Sequence, residues 1–125
     1  MEIQGMNHFT IIAEDLEATR RFYTDILGLT EGYRPPLPFP GLWFYVGENP
    51  VLHVIGGRKL PDERAGVLDH MAFTTTDLPA TEKKLQQYGI KYELGQQVGS
   101  GIWQLFFHDP NGAKVELDFG PDERR

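Results

Sequence analysis

A repeat of 62 positions is the feature that most restricts the fold of this chain. When the sequence is shifted by 62 positions, segment 8–19 aligns with segment 70–81, and His, Asp, Leu, Ala and Thr are identical at matching places. Self-similarity at this spacing indicates one supersecondary unit that is used twice. We therefore expect two similar modules in a chain of 125 residues, a length that suits one domain.

Each copy of the repeat predicts a short strand followed by a helix. Asp15 and Asp77 stand where an N-cap is expected, because a carboxylate can accept hydrogen bonds from the first backbone N–H groups. Apolar residues follow each of them at helical spacing. Gly28 and Gly89 come next and predict where the two helices end.

Strand-like segments follow each predicted helix, separated by turn-forming residues at 47–50 and 109–112. Each half therefore has the order β-α-β-β-β, which predicts an α+β fold of two βαβββ modules. Module one covers residues 5–57, module two covers residues 68–120, and residues 58–67 link them within a single domain. The predicted later strands are 29–34, 42–46 and 51–55 in the first half, and 91–97, 102–107 and 113–119 in the second.

Strand alternation places four chemically active side chains on similar faces. Val115, Leu117 and Phe119 form an apolar face suited to packing under a helix, so Glu116 points the other way. Three imidazoles fall on the equivalent faces of other strands: His8, His53 and His70. In a sheet that curls on itself, these faces converge on one cavity.

Composition excludes several classes of function. The chain has 18 acidic and 12 basic residues and a net charge of −6, which disfavours nucleic acid and anionic membranes as partners. It has no cysteine, and therefore no disulfide, zinc–thiolate site or thiol nucleophile. The sequence shows no secretion signal and no apolar run near the ~20 residues that cross a bilayer. We expect a soluble, cytoplasmic protein of one domain.

Several motifs resemble the vicinal oxygen chelate superfamily, which includes glyoxalase I, extradiol dioxygenases, and fosfomycin- and bleomycin-resistance proteins. The resemblance covers about residues 5–120 and implies a curled mixed sheet around a metal-binding cavity. The motifs are Arg21-Phe22-Tyr23, Leu27-Gly28-Leu29, Asp69-His70, and Asp109-Pro110-Asn111-Gly112 followed by Glu116.

The resemblance implies that His8, His70 and Glu116 are metal ligands. Such ligands suit Fe, Mn, Ni or Zn as the divalent ion and leave open positions for two substrate oxygens. His53 stands in a strand where glyoxalase I carries a glutamate ligand. Three roles for it stay open: a fourth ligand, a general base, or a group that orients substrate. His108, beside a turn, is expected in a surface loop.

The implied function is a divalent-metal-dependent enzyme of the glyoxalase or dioxygenase type, acting on a small substrate through neighbouring oxygens. Lyase or isomerase chemistry is favoured, with His53 and Glu116 as catalytic residues. Phe106 and the His-free stretch 96–102 lack the acid–base partners of extradiol dioxygenases, and residues 92–98 lack the cations expected for a fosfomycin-type site. The alternatives are a bleomycin-resistance-type protein that sequesters a ligand and, second, an extradiol-type dioxygenase.

Aromatic side chains are expected to line the substrate cavity. Phe39 belongs to segment 33–41, which holds four of the nine prolines and is expected to form a stiff, extended rim at the cavity mouth. We also expect a homodimer. The complete set of candidate substrate-binding residues is Trp43, Tyr45, Trp103, Phe106 and Phe39.

Overall fold

The computed structural model describes residues 1–123 and divides the chain into two compact units, residues 1–62 and a unit that begins at Glu63. Each unit contains one helix and four strands in the order β-α-β-β-β, so the α+β class and the two βαβββ modules are confirmed. Among the described residues, hydrogen bonding gives each module a four-stranded mixed sheet of its own. No helix within residues 1–123 has the length and apolar composition to span a bilayer.

The first unit forms a sheet with the strand order β1-β4-β3-β2. The outer strand β1 runs parallel to β4, and the other neighbours are antiparallel. The elements are β1 (Phe9–Ile12), α1 (Leu16–Arg21), β2 (Thr30–Glu31), β3 (Gly41–Val46) and β4 (Asn49–Ile55).

The second unit repeats this topology with the strand order β5-β8-β7-β6. Here β5 runs parallel to β8, and the remaining pairs are antiparallel. The elements are β5 (Met71–Thr74), α2 (Leu78–Gln87), β6 (Glu93–Gln96), β7 (Trp103–His108) and β8 (Lys114–Phe119).

Both helices begin at the predicted aspartates. The Asp15 side chain accepts a hydrogen bond from the Ala18 N–H at 3.0 Å, and Asp77 accepts from Ala80 at 3.1 Å. These bonds satisfy backbone donors that have no partner inside the helix. Helix α1 continues as one π-helical turn, Phe22–Ile26. Gly28 adopts a left-handed φ of 73° just after that turn, which suits a residue without a Cβ.

Alternation along the strands gives each sheet one buried apolar face. In the first unit Leu42, Phe44, Leu52 and Val54 are buried, and in the second unit the alternate residues of β7 and β8 are buried in the same way. The opposite face of each sheet carries the alternate side chains, among them Trp43 and His53 in the first unit and Phe106 and Glu116 in the second. We call this the polar face, because it holds most of the groups with chemical function.

Two predicted strands differ from the observed ones. Strand β2 contains only Thr30 and Glu31, so most of segment 29–34 is irregular. Strand β4 begins at Asn49, and Pro50 therefore lies in a strand although it was expected in the turn. The register of β3 with β4 shifts between Phe44 and Val46, and Pro50 lies at this bulge. Proline has no N–H to donate, and at a bulge no ladder hydrogen bond is lost because of it.

Candidate metal and substrate site

The second unit brings His70 and Glu116 into direct contact. His70 lies immediately before β5, and Glu116 lies on β8 opposite Ala72 in the parallel pair. The distance from His70 Nε2 to Glu116 Oε1 is 3.0 Å. Glu116 is only 5% exposed, which is unusual for a glutamate and indicates that its carboxylate has a specific partner.

The orientation of His70 is set by its sequence neighbour. Its Nδ1 lies 2.8 Å from Oδ2 of Asp69, a carboxylate that can only accept, so Nδ1 carries the proton and donates. In the neutral ring, Nε2 then directs its lone pair at the Glu116 carboxylate. Two electron-pair donors at this distance need a cation between them, either a proton or a metal ion.

The spacing of this pair fits a divalent metal ion. Two ligand bonds of about 2.1 Å that meet at about 90° place their donor atoms about 3.0 Å apart. A histidine whose second nitrogen donates to a carboxylate is also the usual arrangement of metal-bound imidazoles. His70 and Glu116 therefore fit as two adjacent ligands of a transition metal.

Gln104 and Asp118 surround the Glu116 carboxylate on the polar face of the same sheet. The Gln104 Nε2 donates to Glu116 Oε2 at 3.2 Å, which leaves Oε1 toward His70. Asp118 lies opposite Gln104 in the ladder. Burial raises the pKa of Asp118 to about 6, and its hydrogen bond with Glu116 and the charge of Glu116 add to the rise, whereas the charge of His70 lowers it. The group as a whole is rich in carboxylate and favours a cation.

The first unit carries the structural counterpart of this pair. His8 precedes β1 as His70 precedes β5, and its Nδ1 lies 2.6 Å from Oδ1 of Asn7. His53 lies opposite Thr10 in the parallel pair, the position that Glu116 takes opposite Ala72. The first module therefore has the imidazole of His53 where the second module has the carboxylate of Glu116.

His53 is held between two flat rings. Its ring centroid lies 3.6 Å from that of His8, with 15° between the planes, and 3.8 Å from that of Trp43, with 11° between the planes. Burial lowers the pKa of His53, the charges of His8 and Arg34 lower it further, and a hydrogen bond to the Pro50 carbonyl partly compensates. The ring is therefore neutral at pH 7.

The free nitrogen of His53 is well defined. Its Nε2 is buried and has no hydrogen-bond partner within residues 1–123. In the neutral tautomer that carries its proton on Nδ1, Nε2 presents a lone pair as an acceptor or a base. An ion between the parallel rings of His8 and His53 would lie well outside both ring planes, so in this packing they do not share a metal.

The described part of the chain shows no group of three or more His, Cys, Asp or Glu side chains arranged to hold a metal ion. The expected ligands form two sets. His70 and Glu116 are together in the second unit, and His8 is paired with His53 in the first.

The aromatic side chains expected to line the cavity do not all lie on the polar face. Phe106 lies opposite Glu116 and meets the His70 ring edge-on at 5.7 Å. Trp43 stacks on His53, and Tyr45 follows it on the same face, where its hydroxyl donates to the Tyr33 carbonyl at 2.6 Å. Trp103, however, pairs with Phe119 on the buried face of its sheet, opposite to the face that carries Phe106.

Two further predicted residues have plain surroundings. Phe39 lies in the irregular segment before β3, 38% exposed, with the Arg34 guanidinium 5.1 Å above its ring. His108 is exposed, as expected, but it is the last residue of β7 and pairs with Lys114 instead of lying in a loop.

Sequence reasoning missed three features of the site. The residues before the two repeat histidines, Asn7 and Asp69, both hold the histidine Nδ1, and their matching places in the repeat could have revealed this. Gln104 could have been found from alternation, because it lies two positions from Phe106 on β7 and shares its face. Arg34 comes from an irregular segment, and no sequence pattern predicts where its guanidinium lies.

Sequence similarities to a family model and to known proteins agree on one superfamily. The model of the Glyoxalase/Bleomycin resistance protein/Dioxygenase superfamily matches residues 5–117. The chain is 30% identical to Glyoxylase I 4 of Arabidopsis thaliana, over 94% of this chain and 71% of that protein. It is 27% identical to the glutathione transferase FosA of Serratia marcescens, over 94% and 82%.

A solved structure supports the same fold. The E126Q mutant of the fosfomycin resistance protein FosX from Listeria monocytogenes, complexed with Mn(II) and a dihydroxypropylphosphonic acid, superposes with a TM-score of 0.78 at 20% identity. The match covers 95% of this chain and 94% of that one. The chain belongs to the glyoxalase/bleomycin resistance/dioxygenase superfamily.

Proposed function

We propose that this protein is a divalent-metal-dependent enzyme that acts on a small substrate through two neighbouring oxygen atoms. The observation that supports it most strongly is the contact of His70 Nε2 with Glu116 Oε1 at 3.0 Å, with Asp69 fixing the far side of the ring. Members of the superfamily include glyoxalase, fosfomycin-modifying and dioxygenase proteins, and the similar FosX structure contains Mn(II).

His8 completes the proposed donor set. Its Nδ1 contact with Asn7 leaves Nε2 available to a metal ion, as the contact with Asp69 does in His70. Two imidazoles and one carboxylate suit Fe, Mn, Ni or Zn and leave ligand positions open. His8 joins the other two ligands either from the same chain or from a second copy, and a homodimer in the cytoplasm is part of the proposal.

The divalent ion would polarise a carbonyl or enol oxygen of the substrate and so acidify an adjacent C–H or O–H group. His53 is the proposed proton acceptor, because its Nε2 lone pair is buried and its lowered pKa keeps the ring neutral. Glu116 is the second catalytic candidate, in its role as ligand. Proton transfer of this kind is lyase or isomerase chemistry.

Ring cleavage of the extradiol type is the less favoured enzyme function. Phe106, which has no proton to give, lies edge-on to His70. The stretch 96–102 contains no histidine. His53 is therefore the proton-handling group proposed for this site, and the histidine and tyrosine of the dioxygenase pattern are not found at these positions.

A ligand-sequestering protein of the bleomycin-resistance type is the second candidate function. The half-buried Trp43, with Tyr45 on the same face, is an aromatic surface of the kind that binds flat cations. This function would need no metal.

Reconstitution under anaerobic conditions tests the proposal. The protein is loaded in parallel with Fe(II), Mn(II), Ni(II) and Zn(II), its metal content is measured by elemental analysis, and a hemithioacetal and a catechol are assayed with oxygen uptake recorded. We expect stoichiometric metal in the wild type and a loss of it in His70→Ala, with His108→Ala as the matched control. Full metal content in His70→Ala refutes the ligand assignment. Tight binding of a cationic aromatic drug without metal or turnover would support the sequestering function instead.

A further inference from the structure

The guanidinium of Arg34 occupies a defined place beside His53. A Cβ atom on Gly41 would lie 3.0 Å from both Nε and Nη2 of Arg34, so the guanidinium rests directly on the glycine. Gly41 precedes Trp43 by two positions on β3, and Trp43 is stacked on His53. Two positions along a strand correspond to about 7 Å.

This placement depends on a difference between the two modules. Gly41 pairs with Ile55, and the equivalent pair in the second unit is Gln104 with Asp118. In the second unit the Gln104 side chain fills the position and donates to Glu116. In the first unit the position has no side chain, and a cation from the proline-rich segment takes its place.

Arg34 has one donor group in use, and a second donor beside it on the same edge of the guanidinium has no acceptor among the described residues. Its Nη2 donates to the Phe39 carbonyl at 2.7 Å, and its guanidinium lies over the Phe39 ring. Its Nε is buried and has no hydrogen-bond partner within residues 1–123. A buried guanidinium N–H without an acceptor is costly, so an acceptor from a ligand would remove a penalty already present in the folded chain.

We infer that Arg34 binds an oxyanionic group of the substrate, a carboxylate or a phosphonate, next to His53. Planar guanidinium donors match the oxygen geometry of both groups. In a chain of net charge −6, a fixed cation at this place selects an anionic group that the rest of the surface would repel. The inference rests on the proposed function for the word substrate, and it narrows the substrate class to small oxyanions.

The test uses the full-length, metal-free chain, because a metal would itself bind the anions. The ¹⁵N-labelled protein is titrated with acetate, with methylphosphonate, and with acetamide as a neutral control, at constant ionic strength. The Arg34 Nε–H and Trp43 indole N–H resonances report binding. We expect saturable shifts of both with at least one of the two anions and none with acetamide. Acetate and methylphosphonate then distinguish a carboxylate from a phosphonate ligand.

Variants show whether Arg34 is the cause. Arg34→Gln should weaken anion binding about tenfold or more, the loss expected for one charge-assisted hydrogen bond. Arg34→Lys should retain part of the affinity, and the exposed Arg58→Gln, which removes the same charge, should behave as wild type. Absence of a saturable shift in the wild type, or equal affinity in Arg34→Gln, overturns the inference. If Arg34→Gln does not fold, the wild-type titration and Arg34→Lys decide. Metal binding is measured separately, so the two proposals can fail independently.

Discussion

Replacement of Gln104 by leucine should weaken metal binding although Gln104 is not itself a ligand. Its amide Nε2 donates to Oε2 of the buried Glu116 at 3.2 Å, and Oε1 of the same carboxylate faces His70. The amide thereby fixes which oxygen is available to a metal. Leucine has nearly the same volume but no donor, so the variant removes the hydrogen bond and little else.

The expected magnitude follows from that one contact. A hydrogen bond to a charged group contributes about 1.5–3 kcal/mol, and 3.2 Å is at the long end of the normal range, so the lower figure applies. A loss of about 1.4 kcal/mol corresponds to a tenfold rise in Kd. Outer groups that orient metal ligands typically contribute about 10–100-fold to metal affinity, which agrees with this value.

The assay is a competition between the protein and a fluorescent chelator for Mn(II) and Zn(II). Gln87→Leu, on the exposed surface of α2, is the matched control and should bind as wild type. Far-UV circular dichroism of both variants checks that the fold is retained. If Gln104→Leu binds metal within twofold of the wild-type Kd, Glu116 does not depend on Gln104, and the argument that this contact orients the ligand is wrong.

Three further changes test individual contacts within the two units. Asp118→Asn should raise Tm at pH 7, because wild-type Asp118, with its raised pKa of about 6, is ionised there at a cost to the folded state. The difference in Tm should shrink as the pH falls to about 5, because wild-type Asp118 then takes up a proton. The exposed Asp62→Asn should show no such trend, and a Tm difference that grows toward acid pH would contradict the account. Gly41→Ala should lower the free energy of unfolding, measured in urea, by about 2 kcal/mol or more, because its Cβ would lie 2.3 Å from the Val54 carbonyl oxygen. A Cβ on Gly95 would meet open space, so Gly95→Ala should lower it little. Equal losses in the two variants would refute the steric argument. Glu123→Ala should cost about 1–2 kcal/mol of unfolding free energy, since Glu123 accepts hydrogen bonds from the Asp77 and Leu78 N–H groups at the start of α2, and an unchanged stability would show that this cap contributes nothing.

Repeated local patterns were readable from the sequence because they depend on short-range chemistry. The aspartate caps and the glycine at the end of α1 follow from helix termini, and the identical spacing identified His8 and His70 as equivalent. The equivalence of His53 and Glu116 could not be seen in the sequence repeat. His8 and His53 are 45 positions apart, whereas His70 and Glu116 are 46 apart, so a fixed shift aligns His53 with Val115.

Other parts of the site could not be predicted, for two physical reasons. The face of a strand residue reverses with a one-residue change, so Trp103 and Phe106, three positions apart on β7, cannot lie on the same face. Side chains from irregular segments have no periodicity at all, so the position of Arg34 over Gly41 depends on tertiary contacts. The stacking of His53 between Trp43 and His8 likewise follows from the register of β3 with β4.

X-ray absorption spectroscopy of the metal-loaded protein tests the central proposal most directly, because it counts imidazole ligands. With Zn(II) or Mn(II) bound, the wild type should show two imidazoles and at least one carboxylate oxygen around the ion. His8→Ala and His70→Ala should each show a single imidazole, and His53→Ala should still show two. A wild-type spectrum without imidazole, or an unchanged count in His8→Ala, would contradict the assignment of His8, His70 and Glu116 as the metal ligands.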